Sequence, residues 1–332
     1  MKYNVVIVGA TGAVGRKMLS TLLERSFPIK NIILLASKKS EGKIISLNDQ
    51  KYVVQSLEGF NFKNADLAFF SAGSEVSKKY ATLAEKKGCY VIDNTSFFRL
   101  HKDIPLVIPE INSKELAKAK RKIIANPNCS TIQMLVALKP IHDLSKITEI
   151  IVSTYQSVSG AGQKAIEELN KQTLDIINEK NIDIKYIPKQ IAFNVVPQID
   201  IFLANQFTKE EMKMVNETKK ILHDSISVNA TCVRVGTIIG HAESIFIKLE
   251  TDQELKSLER KLDAAKGIKF SKSDYFTPVD CSGKNWVYVS RLRKDINKEN
   301  AFNLWVVSDN LLKGAALNSV QIAESLVEQK II

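Results

Sequence analysis

An apolar run, Val5-Val6-Ile7-Val8, passes without a break into Gly9-Ala10-Thr11-Gly12-Ala13-Val14-Gly15. A helical pattern follows over 16–24, with Met18, Leu19, Leu22 and Leu23 apolar. Strand, glycine turn and helix in that order leave few folds open. Gly9 and Gly12 permit a tight turn and close backbone approach to a pyrophosphate, Gly15 permits helix–strand packing, and the helix start offers free N–H groups to an anion. The spacing G-x-x-G-x-x-G is a relative of the dinucleotide fingerprint, made specific by its place directly after a strand. A glycine-rich turn without a ligand is the other reading.

The next strand, Ile32-Ile33-Leu34-Leu35-Ala36, runs into Ser37-Lys38-Lys39-Ser40, where an NAD site usually places a carboxylate for the ribose diol. Two cations and two hydroxyls suit a 2′-phosphate instead, which favours NADP as cofactor, although exposed lysines alone would also explain the pattern. Further strands, Leu67-Ala68-Phe69-Phe70 and Tyr90-Val91-Ile92-Asp93, flank a helix expected over 75–87. The alternation predicts an α/β fold with a doubly wound parallel sheet. Ser71-Ala72-Gly73-Ser74 and Asn94-Thr95-Ser96 follow those strands, where ligands gather in such sheets, and Arg99 just beyond is a candidate anion binder. An exposed helix is expected over 113–122.

At 332 residues the chain has room for about two domains of roughly 150 residues each. The start lacks a signal-peptide layout and no apolar run approaches membrane-spanning length, which predicts a cytoplasmic protein without a membrane partner. The formal net charge is +11, but the lysines are spread along the chain, often beside Glu or Asp, without the basic tract of a nucleic-acid binder. Small anionic ligands are the expected partners. The four cysteines, Cys89, Cys129, Cys232 and Cys281, form no C-x-x-C pair, so neither a metal site nor a disulfide framework is expected.

Cys129 stands out among them. It follows the rigid turn Asn126-Pro127-Asn128 and precedes Ser130, Thr131 and an apolar face of Ile132, Leu135, Val136 and Leu138 that predicts a helix up to Pro140. At a helix start the thiolate is favoured and the free N–H groups can hold an oxyanion, which makes Cys129 a candidate nucleophile; burial as a small apolar residue is the alternative. A strand expected over 147–155 ends in Gln156-Ser157-Val158-Ser159-Gly160-Ala161-Gly162, a second glycine and serine turn able to bring Gln156 and backbone amides to a site, before a helix over 163–178. In a charged helix over 209–222, Glu210 and Lys213 are three apart and read as a surface ion pair. Two strands around a glycine-marked bend, over 230–241 and 244–249, predict an antiparallel or mixed sheet. Of four histidines only His241 follows a glycine within an apolar strand region, so it is the candidate base, with a satisfied core histidine as the alternative.

A thiolate, an imidazole and a nicotinamide are the apparatus of aldehyde oxidation through a thioester. Gly9-Ala10-Thr11-Gly12-Ala13-Val14-Gly15, Asn126-Pro127-Asn128-Cys129-Ser130-Thr131, Tyr155-Gln156-Ser157-Val158-Ser159-Gly160-Ala161-Gly162, Gln190-Ile191-Ala192-Phe193-Asn194, Cys232-Val233-Arg234-Val235 with His241, and Val307-Ser308-Asp309-Asn310-Leu311-Leu312-Lys313-Gly314-Ala315-Ala316 together carry a resemblance. The chain resembles bacterial aspartate-semialdehyde dehydrogenase over essentially its whole length. The resemblance implies NADP-dependent, phosphorylating oxidation of L-aspartate 4-semialdehyde to L-4-aspartyl phosphate, on the route to lysine, threonine and methionine.

It also implies roles. Cys129 resembles the nucleophile, His241 the acid/base that takes and returns a proton, and Gln156 the residue that orients the acyl intermediate. Arg234 is similar to the substrate-carboxylate binder and Glu210 to the ammonium partner; Lys213, Arg99 and Asn128 match phosphate binders, which revises the surface-pair reading of Glu210 and Lys213. Gly9, Thr11, Gly12, Ala13, Val14, Lys38, Lys39, Ser40, Ser71, Gly73, Ser159, Gly160 and Asn310 match cofactor-contact positions, with Lys39 standing where many relatives carry arginine. The implied organisation is an NADP-binding domain over 1–127 completed by a C-terminal helix over 313–332, and a catalytic domain over 128–312 that forms a homodimer or tetramer. Two rivals share parts of this picture: N-acetyl-γ-glutamyl-phosphate reductase, whose acylated substrate has no use for a Glu210-like partner, and a non-catalytic NADP-sensing regulator.

Overall fold

The computed structural model describes residues 1–223 and 225–332. The chain divides into two compact units, one made of Met1–Asn128 and Ala315–Ile332, the other of Cys129–Gly314.

The first unit is built on β1 (Tyr3–Val8), β2 (Ile29–Ala36), β3 (Ile44–Leu47), β4 (Gln50–Ser56), β5 (Leu67–Phe70), β6 (Tyr90–Asp93) and β7 (Ile123–Ala125), in the spatial order β3-β4-β2-β1-β5-β6-β7. Neighbours run parallel except the β3–β4 hairpin. Val5 to Val8 and Leu67 to Phe70 are buried on both faces, which is why they read as continuous apolar runs. Helix Ala13–Glu24 covers the sheet with Met18, Leu19 and Leu22, and helix Leu317–Glu328 adds Val320, Ala323 and Leu326 to the same core. The strand order reverses between β1 and β5, so the turns after these two strands flank the crevice where such sheets bind ligands.

Two local readings change here. Residues 113–122 do not form an exposed α-helix: a turn of helix at Pro109–Asn112 continues as a 3-10 helix, Ser113–Lys118. Leu116 is the single residue of that 3-10 helix buried in the core, too little to give an α-helix an apolar stripe. The hairpin of β3 and β4 was not anticipated. Its turn residues Asn48 and Asp49 have φ of 48° and 60°, the left-handed pair a tight hairpin needs.

The second unit carries β8 (Ile147–Gln156), β9 (Val195–Val196), β10 (Ser227–Val235), β11 (His241–Leu249), β12 (Ile268–Ser271), β13 (Val287–Lys294) and β14 (Ala301–Ser308), ordered β12-β13-β14-β11-β8-β10-β9. The sheet is mixed: β8 pairs parallel with β10 and antiparallel with β11. Helix Cys129–His142 is buried from Ser130 through Leu138, so it is a core helix rather than an amphipathic surface one. It runs past Pro140 by two residues, because a proline in the last turn costs few hydrogen bonds.

Candidate active site

In the first unit, the turns after β1, β2 and β5 enclose a cleft of about 560 Å3, lined among others by Gly9, Thr11, Gly12, Ser37, Lys38 and Ser71. Gly9 has φ +88°, and a Cβ there would lie 2.8 Å from the Ser71 carbonyl oxygen, so only glycine lets the two turns approach. The chemistry fits a dinucleotide phosphate. Gly12 caps helix Ala13–Glu24 at the cleft, Lys38 supplies a cation, and the buried Ser71 Oγ has no partner among the described residues. Ala13 and Val14 open the helix behind the turn, Lys39 and Ser40 complete the short 3-10 turn Lys38–Ser40, and Gly73 follows Ser71; none of these five is among the residues lining the cleft.

At the end of β6 the same unit holds Asp93, which accepts from Ser77 Oγ at 2.7 Å and from Thr95 Oγ1 at 2.8 Å. Burial pushes this carboxyl up, against the hydroxyl donors and nearby Arg99. The loop it shapes carries Arg99, whose Nη2 donates to the Asn94 carbonyl at 2.9 Å. Arg99 and Asn128 are both buried, 8% and 6% exposed, which is unusual for a surface arginine and a turn former.

The second unit gathers the remaining candidates by strand register. Arg234 on β10 pairs with Gln156 on β8, and Tyr155 on β8 pairs with Ala242 on β11, so the next step of that ladder sets His241 opposite Gln156. Arg234, Gln156 and His241 therefore stand in one row across three strands. All three are buried, and Cys129, at the head of its helix in the same unit, is near enough to Arg234 for its charge to be felt there. Burial lowers the Arg234 pKa while Glu210 and Cys129 oppose that loss.

His241 is fully buried, and its Nδ1 accepts from the Ser157 backbone amide at 3.1 Å with Ser157 Oγ at the same distance. Burial and the positive charge of Arg234 push the imidazole pKa down to about 3. With Nδ1 engaged as an acceptor, the neutral ring carries its proton on Nε2. That nitrogen has no partner among the described residues, and it faces Gly160: a Cβ there would fall 3.2 Å from Nε2 and 2.9 Å from Arg234 Nη1. Glycine lets the backbone lie close to both groups, and Arg234 Nη1 donates to the Ser157 carbonyl at 2.7 Å. A neutral ring with its proton on Nε2 presents a donor there.

Glu210 is buried at the first turn of helix Lys209–Leu222 and is no surface partner. Its Oε1 lies 3.4 Å from Gln156 Nε2, and its Oε2 pairs with Lys213 Nζ at 2.9 Å, which in turn reaches Asp200 at 3.1 Å. Burial works against the Lys213 charge, but the two carboxylates outweigh it and raise the pKa. Thr208 and Glu211 close a capping box under this turn, and Glu211 also accepts from the Cys232 backbone amide at 3.0 Å, tying the helix to the strand of Arg234.

Asn310, which matches a cofactor-contact position, is also bonded within the second unit. Its Oδ1 accepts from the Gly240 amide at 2.9 Å and from Ser157 Oγ at 3.1 Å, and its Nδ2 donates to Ser159 Oγ at 2.9 Å. It supports the residue before His241 and the residue that caps His241. Ser157, Glu211 and Asp200 were missed as participants; only the Thr-x-x-Glu capping pattern at 208–211 could have been noticed. Among the described residues there is no disulfide, no cluster able to hold a metal, and no helix long and apolar enough to cross a membrane.

Two family models match the chain: semialdehyde dehydrogenase, NAD binding domain, over residues 4–119, and semialdehyde dehydrogenase, dimerisation domain, over residues 138–313. The aspartate-semialdehyde dehydrogenase of Shewanella violacea is 51% identical over 331 residues, covering 98% of each chain. That of Bacillus subtilis is 48% identical over 342 residues, covering 99% of each. Among solved structures, aspartate semialdehyde dehydrogenase II of Vibrio cholerae complexed with ASA superposes with a TM-score of 0.97 at 50% identity, covering 99% of each chain. The enzyme of Candida albicans with NADP gives 0.78 at 25% identity, covering 100% of each.

Proposed function

We infer the reaction of this chain from its membership: it belongs to the aspartate-semialdehyde dehydrogenase family. It is an oxidoreductase that converts L-aspartate 4-semialdehyde, phosphate and NADP to L-4-aspartyl phosphate and NADPH, in amino-acid biosynthesis. The observation that carries the reading in the site itself is the row of Arg234, Gln156 and His241 with Glu210 beside it.

The carboxylate of the substrate is assigned to Arg234 and its ammonium to Glu210, a fit supported by the opposite charges of these two buried groups. The Cys129 thiolate adds to the aldehyde carbon, and the C=O electron pair moves onto oxygen. His241 Nε2–H donates to that oxygen, an interaction that strengthens as charge gathers there. When the oxygen electron pair collapses to C=O, the carbon loses hydride and a thioester remains on Cys129. NADP, when bound, supplies the hydride acceptor. Gln156 is placed to hold the acyl group, being anchored to Thr154 Oγ1 at 3.2 Å. Phosphate, for which Lys213, Arg99 and Asn128 are the proposed partners, attacks the thioester carbon, and Cys129 leaves as thiolate.

The glycine turn with Thr11, Ser71 and Lys38 is proposed to hold the cofactor, supported by the cleft they line and by Ser37-Lys38-Lys39-Ser40, without a carboxylate, directly after β2. Self-association as a homodimer is proposed for the second unit, where Phe193 (73% exposed), Val195, Ile201 and Phe202 present apolar surface. The cytoplasm is the proposed compartment, consistent with four cysteines outside any disulfide. NADPH formation from aspartate semialdehyde should require phosphate; equal rates with and without it, or activity confined to the N-acetyl-γ-glutamyl substrate, would refute the assignment.

A further inference from the structure

β6 ends on Asp93, and the peptide group just beyond it, between Asn94 and Thr95, is held from both edges. Its N–H, on Thr95, donates to Asp93 Oδ1 at 3.2 Å, and its C=O, on Asn94, accepts from Arg99 Nη2 at 2.9 Å. This peptide is trans, so it is planar with N–H and C=O pointing to opposite sides, and fixing one fixes the direction of the other. The carboxyl group is itself locked. Oδ1 also accepts from Ser77 Oγ at 2.7 Å, Oδ2 accepts from Thr95 Oγ1 at 2.8 Å, and Asp93 has no exposed surface. Thr95 Oγ1 in turn accepts from the Phe97 amide at 3.3 Å, which carries the hold two residues nearer Arg99. Asn94 is pinned on its other sides: its amide donates to the Phe70 carbonyl and its Oδ1 accepts from Ser319 Oγ, both at 2.9 Å.

An Asx turn at a strand end needs one side-chain oxygen and one amide. Asp93 goes further, because both of its oxygens and two hydroxyls converge on the one peptide that Arg99 uses. A guanidinium recognises phosphate through a planar fork, which is effective only when the plane is set before the anion arrives. A long side chain left to itself samples many rotamers, and holding one of them costs free energy that a fixed carbonyl offsets. We propose that Asp93 is a positioning residue for phosphate: through the 94–95 peptide it aims the Asn94 carbonyl, and so sets the orientation of the Arg99 guanidinium. What Asp93 supplies to this relay is an acceptor at Oδ1 rather than a charge, and Ser77 and Thr95 hold that acceptor in place.

The proposal rests on the reading of Arg99 as a phosphate binder, and its test separates the two. In the full-length protein, KM for phosphate, aldehyde and NADP and the burst of NADPH formed without phosphate are measured for the parent, Asp93→Leu, Asp93→Asn, Thr95→Val, Thr95→Ser and Arg99→Leu, with thermal unfolding of each. Asp93→Leu, of similar size but without an acceptor, should raise KM for phosphate about tenfold or more while the burst and the other two KM values stay at parent levels. Asp93→Asn keeps an oxygen for the Thr95 amide and should bring KM for phosphate back to within about twofold of the parent. Thr95→Val loses the hydroxyl and should raise KM for phosphate severalfold, whereas Thr95→Ser should not; this pair decides the matter if Asp93→Leu does not fold. A folded Asp93→Leu with parental KM for phosphate, an Asp93→Asn as impaired as Asp93→Leu, a burst lost together with phosphate affinity, or Thr95→Val and Thr95→Ser alike would each overturn the proposal. Arg99→Leu with KM for phosphate unchanged would refute the reading of Arg99 and the proposal with it. A raised value there beside a parental Asp93→Leu would refute the proposal alone.

Discussion

The Ser157 backbone amide donates to Nδ1 of His241 at 3.1 Å across 84 residues of sequence. A backbone donor cannot be rotated away, so an imidazolium at this position would press a second N–H against it. Together with burial and Arg234, this keeps the ring neutral with its pKa at about 3, against an ordinary 6.5. Between those two values the unfolded chain binds a proton that the folded one refuses, so stability should fall as pH drops through that window. Melting temperatures of the parent and His241→Gln, compared from pH 4 to 7, should converge at the upper end and separate at the lower, with the variant the less pH-sensitive.

Asn310→Ala removes the acceptor for the Gly240 amide and Ser157 Oγ. A ring displaced by a fraction of an ångström costs on the order of tenfold to a hundredfold in rate. The fall should appear in kcat while NADP affinity, measured by titration of the cofactor, stays within about twofold. A rise in the NADP dissociation constant with kcat preserved would make Asn310 a cofactor contact instead.

Cys129→Ala should abolish NADPH formation and leave both the melting temperature and NADP binding near the parent values, because the thioester has no other nucleophile. Rapid-mixing experiments on the parent without phosphate should show a burst of NADPH that the variant lacks.

Glu210→Gln and Lys213→Met should separate the substrates. Each loses a charge-assisted interaction of roughly 1.5–3 kcal/mol, equivalent to tenfold or more in apparent affinity. Initial-rate measurements should show the first variant raising KM for the semialdehyde and the second raising KM for phosphate.

Gly314→Ala tests how tightly the thiol is packed. A Cβ at Gly314 would lie 2.8 Å from Cys129 Cβ, and overpacking of this kind costs about 1–3 kcal/mol. Both the melting temperature and the rate of Cys129 alkylation by iodoacetamide should change, the second more than a remote core alanine would produce.

The glycine turn, the Cys129 helix and the isolated His241 were legible because each is a local pattern: a strand feeding glycines, a capping pair after a proline turn, a histidine among apolar residues. Glu210 and Lys213 looked like a surface pair because helical spacing shows which residues share a face but not whether that face is covered. Glu210 is buried and Lys213 half-buried, with Gln156 of β8 against the first and Asp200 against the second, contacts that helical spacing does not report. Ser157, Asn310 and Gln133 act on His241 through bonds spanning 84, 70 and 108 residues to their recorded partners at Ser157–His241, Asn310–Gly240 and Gln133–His241. No periodicity reports such pairings.

The ends of β8 and β10 and the beginning of β11 coincide because one pairing is parallel and the other antiparallel. Gln156, Arg234 and His241 are thus addressed by counting residues along strands, and the side-chain period of a strand is two. Inserting or deleting one codon within β8 would leave the sheet able to pair yet turn Gln156 to the opposite face. Codons added to the surface loops carry no such penalty. Length variation among descendants of this gene should therefore collect in the loops and stop abruptly at the strand boundaries.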